Sequence, residues 1–307
     1  MASNGETPRT AGDIWSSYTR NRTLLTIGAI VCCALFWGMA RLFGVPRYPD
    51  FQASLVMQPS PVLVLLLVAV TLLAGALVAS LIAGVVHFES GLFCASIGLA
   101  ALSVRGGPMR YVLMYTPGTG IYIRLIIETL LLLGCICLGW YALLMLKDKG
   151  LLKGEPLRED DPDALPAQGL MALAAQVILM MLLMALLAQT DQKAQVIWSI
   201  AISSMVSAIA AHSLFPARPS IWFWSAPFIV AIVGYVLAMI GGPPGVAGTP
   251  QGAFPALARP LPLDYAGIGT AGALLGYWTS RRWLHEREGE PHTTGEVEEA
   301  LDNPQGS

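Results

Sequence analysis

Residues 62–86 read VLVLLLVAVTLLAGALVASLIAGVV, an apolar run that starts after Pro61 and stops at His87-Phe88-Glu89-Ser90. A helix rises about 1.5 Å per residue, so about 20 residues cross the roughly 30 Å of hydrocarbon in a bilayer, and this run is long enough to do so. Backbone polar groups find no water at that depth, so the run must satisfy them internally as a helix. Runs of the same kind recur on both sides of it, and composition agrees. Of 307 residues 55% are apolar and 12% charged, with a mean hydropathy of +0.61, which is not the make-up of a soluble domain pair. Lys+Arg 18 against Asp+Glu 20 leaves a net charge of −2, without the clustered basic surface that nucleic-acid binding needs.

Working outward, the sequence predicts an all-α, polytopic bundle of about eight spans. Span one covers 23–43 and is followed by a loop holding Pro46, Pro49, Pro59 and Pro61; span two covers 62–86. The turn at 87–90 leads into span three, 91–104, at 14 residues the shortest, where Glu89 or Ser90 serves as cap. A glycine and proline loop, 105–120, precedes span four at 121–145. The charged stretch 147–166 divides the chain into two halves, 23–146 and 167–284. Spans five to eight then cover 170–188, 194–214, 221–240 and 265–283.

Residues 1–22 form a polar tail with Arg9, Arg20 and Arg22, and the apolar run behind it, about 21 residues, is too long for the core of a cleaved signal peptide. Residues 285–307 form an acidic tail expected to be disordered. With eight spans, eleven Lys and Arg fall on the side of the termini and seven on the other. Positive residues are retained in the cytoplasm, so both termini are expected inside, in a bacterial-type cell membrane. Trp222, Trp224, Trp278 and Trp283 fall near the inner boundaries and read as interfacial anchors.

The five cysteines, Cys32, Cys33, Cys94, Cys135 and Cys137, all lie in apolar stretches. An odd set at lipid depth makes no disulfide framework, and Cys135 and Cys137, two apart on a helix, do not face one another to clamp a metal. They read as packing residues. A lipoprotein site at Cys32 fails because Val31 is not small. HExxH, GxSxG and the P-loop pattern are all missing from the chain.

An internal duplication is one reading of the pattern. Ala76, Ser80 and Gly84 in span two, shifted by 127 residues, land on Ser203, Ser207 and Ala211 in span six. Both stripes end near a histidine, and Gly106-Gly107-Pro108 parallels Gly241-Gly242-Pro243. Two four-span halves would then form a parallel repeat about an axis normal to the membrane. Chance is the other reading, since small residues are common in membrane helices. Gly272 and Gly276 form a GxxxG pair that packs span eight inside its own bundle or against a second chain.

The candidate functional residues are Arg124, Glu128, Arg110, His212 and His87. Arg124 and Glu128, four apart on span four, share a face and can pair, with Glu128 roughly 10 Å deep. A charge at that depth faces a bundle interior or a wet cavity, or else belongs to an arginine reaching for headgroups with a local partner. His87 and His212 read as boundary polar residues or as titrating groups. Asp264 reads as an N-cap. The function expected is a permease-like protein, or a non-catalytic subunit of a membrane complex, with no cofactor. Its partners are the lipid bilayer and either other membrane subunits or a second copy. The rival is a membrane-embedded enzyme acting on lipid near the outer headgroups through Arg110, Arg124 and Glu128.

Overall fold

The computed structural model describes residues 11–40, 54–55, 58, 60–84, 86–115, 118–152, 166–241 and 255–289, and every element within them is helical. In order these are α1 (Ala11–Met39), α2 (Pro61–Ala83), α3 (Ser90–Ser103), the short α4 (Met109–Tyr115), α5 (Gly120–Asp148), α6 (Pro166–Leu187) and α7 (Lys193–Leu214). There follow α8 (Ile221–Trp224), α9 (Ala226–Ile240), a 3-10 turn at Ala256–Ala258, then α10 (Pro262–Asp264), a π turn (Tyr265–Gly269) and α11 (Thr270–Gly289). The last three run end to end as one rod.

Six of these helices are long and apolar enough to cross a membrane: Thr19–Met39, Pro61–Ala83, Gly120–Asp148, Ala167–Leu187, Lys193–Leu214 and Ile221–Ile240. Large apolar side chains such as Val62, Leu81, Leu186 and Ile240 stand exposed along them, as lipid-facing positions must. The chain is a multi-pass membrane protein. The other two expected spans are of a different kind. α3 has 14 residues and covers only about 21 Å, and the last turns of the rod carry charges that include Arg281 and Arg282.

Helix ends depart from expectation where polar residues are good helix formers. α1 begins at Ala11, well before Thr23, and α11 continues to Gly289, so its last five residues lie inside the stretch expected to be disordered. The remainder of that tail, 290–307, residues 1–10 and most of the charged linker lie outside the described residues. α5 runs past the expected end at Met145 to Asp148 and stops there because Gly150 adopts φ 70°, letting its N–H return to the Lys147 carbonyl and that of Leu151 to the Leu146 carbonyl.

Packing follows the small residues. α3 lies against both α1 and α2. A Cβ on Gly98 would strike the Phe36 ring and the Cys32 carbonyl, and one on Gly91 would strike Ser80, so these glycines set the close approach. The thiols of Cys32, Cys33 and Cys94 reach the carbonyls of Gly75, Ile97 and Leu25, and all five cysteines are free. α11 runs parallel to α7 in fixed register: Gly272 meets Ser204, Gly276 meets Ala208 and Ser280 meets His212, each pair 68 residues apart. The GxxxG pair therefore packs within the chain's own bundle.

The packing does not follow the expected parallel repeat. That repeat equates α2 with α7 and α3 with α9, yet α2 packs along α3 whereas α7 packs on α6 and α11 and hardly meets α9. Small residues place backbones close wherever they occur, so matching stripes do not imply matching partners. The tryptophans also differ from expectation. Trp283 is exposed as an anchor would be, but Trp224 is wholly buried, its ring 6.3 Å from that of Trp140, Trp222 covers Gly169, and Trp278 serves a buried carboxylate.

Candidate functional site

The bundle carries polar groups at its two ends. At one end the α2–α3 turn, the last turns of α5 and α11, and the α7–α8 turn come together. At the other end meet α4, the α6–α7 turn, the 3-10 turn and α10.

Glu128 lies toward the second end. α5 buries Leu125, Glu128, Thr129 and Leu132 and turns Arg124, Ile127 and Leu131 outward. Four residues advance a helix by about 400°, so Arg124 and Glu128 differ by about 40° and fall on either side of that boundary. Arg124 is exposed, and among the described residues no ion pair joins it to Glu128. The Glu128 carboxylate is instead fully buried and accepts the hydroxyl of Ser54, from the stretch before α2 that turns Ser54, Leu55 and Gln58 into the protein. The expected Arg124–Glu128 pair is thus replaced by a carboxylate under a polar cover.

Arg110 sits on α4, away from both. Its guanidinium approaches Asp191 Oδ2 at 3.5 Å, and Asp191 is buried in the α6–α7 turn. Arg259 donates to the Ala188 carbonyl of the same turn; burial pushes its guanidinium down from the usual arginine value, and Asp191 opposes that. Beside them Lys193 Nζ holds both carboxylate oxygens of Asp264, at 2.7 and 2.9 Å. Asp264 Oδ2 also accepts the Leu261 N–H at 2.8 Å. Asp264 is therefore not the N-cap expected of it: Leu261 holds that position, and Asp264, at the third helical position, reaches back to the Leu261 N–H and pairs with a cation as well.

At the first end the centre is Glu89, which sequence reasoning treated only as a helix cap. Its carboxylate is 1% exposed. Oε1 accepts the indole N–H of Trp140 at 3.3 Å and the hydroxyl of Ser220, and Oε2 accepts the indole N–H of Trp278 at 3.3 Å. Three helices and a turn are tied through one side chain. A signal was available: Glu89 is the only acid between Asp50 and Glu128. Partners 51, 131 and 189 residues away in sequence gave no local hint.

His87 lies beside Glu89, half-buried, and stacks 5.1 Å from Phe88 and 5.5 Å from Trp278. His212 is buried apart from it, with Nδ1 3.0 Å from Ser280 Oγ and its ring edge-on to Tyr277 and Phe223. Both histidines meet α11, but each through its own neighbours. No group of three or more metal-binding side chains occurs among the described residues.

No family model matches this chain, and no curated protein or solved structure matches it either.

Proposed function

We propose that this is a permease-like protein of eight crossings with both termini in the cytoplasm, in which Glu128 stands at the outer end of a pathway through the bundle. The observation that carries the reading is a fully buried carboxylate in a membrane helix, covered by Ser54 from an adjoining loop and not tied to the nearby Arg124. An ionisable side chain within a membrane helix is costly, and such residues face the bundle interior or a water-filled cavity and mark ion and substrate pathways. α3 and the rod complete the crossings, because the contacts of Glu89 with Trp278 and of Ala100 with Gly267 run them antiparallel between the two ends.

The lipid-enzyme alternative required Arg110, Arg124 and Glu128 to converge, and they point to three different surroundings. The subunit alternative differs from the permease in one measurable respect, which is water. In a background with the five cysteines replaced, Ser54→Cys and Glu128→Cys should each react with a membrane-impermeant thiol reagent added from outside. Failure of both to react from either face would mean a dry bundle and would defeat the pathway.

A further inference from the structure

His87 Nδ1 faces two groups that make opposite demands on it. The backbone N–H of Glu89 donates to it at 3.3 Å, which requires a lone pair on Nδ1. The Glu89 Oε2 lies 3.7 Å from the same nitrogen, and that contact becomes attractive only when Nδ1 carries a proton. One atom therefore serves as acceptor in the neutral imidazole and as donor in the cation. We propose that His87 is a proton-binding site that sets how tightly Glu89 ties the ends of α3, α5, α11 and the α7–α8 turn together.

The surroundings favour His87 as the group that titrates the cluster. Both indoles are donor-only, so each takes up a lone pair on the Glu89 oxygen it holds. Among the described residues, the other charged and titratable groups reach Glu89 through intermediaries. Lys147 of α5 lies 4.9 Å over the Phe88 ring. Tyr277 of α11 feels Glu89 together with Arg281 and Arg218, and His212 of α7 meets the edge of the same Tyr277 ring. None of these contacts Glu89 Oε2, whereas His87 and Trp278 both do.

The direction follows from the two states. With His87 protonated, one backbone hydrogen bond is exchanged for a charge-assisted contact with a buried carboxylate, which is the stronger of the two. The tie is therefore tight at low pH and loosens as pH rises through the imidazole range, about 6.5 for an unperturbed histidine. This inference stands apart from the permease reading, since it concerns the end of the bundle away from Glu128.

The test uses the full chain in lipid nanodiscs, with thermal midpoint and tryptophan emission followed between about pH 5.5 and 8.5, a range that brackets the imidazole value. The wild type should lose several degrees of midpoint and shift its emission as pH rises. His87→Gln should flatten both profiles, while His212→Gln should keep them. Glu89→Gln, which removes the negative charge that draws the proton, should flatten them as well. A wild type without a slope, or a His87→Gln variant that retains the wild-type slope, would overturn the proposal.

Discussion

The Lys193–Asp264 contact shows what a single ion pair does at the edge of a bundle. Asp264 is almost wholly enclosed, and removing one partner of such a pair strands the other charge in a poor solvent. Lys193 keeps some access to water, so Asp264→Asn should cost near the low end of the usual range, about 3 kcal/mol, read as a lowered melting midpoint in detergent. The double change Lys193→Met with Asp264→Leu should recover much of that loss, since no charge is then stranded. At this scale the sequence is a partial guide. The depth of Glu128 could be read from its place on an apolar run, and its burial agrees. Its partner could not: a spacing of four nominates Arg124, but the face boundary of α5 depends on where α2 and α9 pack. Ser54 comes from a stretch whose prolines announce only that no helix passes there.

Helices were easier to read than their neighbours. Long apolar runs give α2, α5, α6 and α7 to within about four residues at each end, because bilayer thickness and backbone satisfaction act locally. Which face meets which partner depends on distant glycines, and the helix contacts lend the parallel-repeat reading no support. The same glycines provide a contrast. A side chain on Gly276 would run into the Met205 carbonyl and the Ala208 methyl, so Gly276→Leu should force α11 from α7 and cost about 1–3 kcal/mol or more. Gly134, on the exposed face of α5, has nothing within 4 Å, and Gly134→Ala should raise stability by about 0.5–1 kcal/mol through helix propensity alone. Melting both variants beside the wild type checks the pair.

For the molecule as a whole, the number of crossings decides which side each end faces. With α3 and the rod both crossing, reporter fusions inserted at Asp160 and attached after Ser307 should each report cytoplasm; an external signal from either would break the eight-crossing arrangement. The fixed register of α7 against α11 has its own consequence for how such a molecule can move. Lys193 with Asp264 closes this pair of helices at one end and His212 with Ser280 closes it at the other, and between them glycine lets backbone rest on backbone. Sliding by one turn, about 5.4 Å, would set Ser204 against Gly276 and undo both closures together. The two helices therefore travel as a single strut. A displacement imposed at the Asp191 end should then be passed along this strut toward the turns around Glu89, coupling the two polar ends of the bundle.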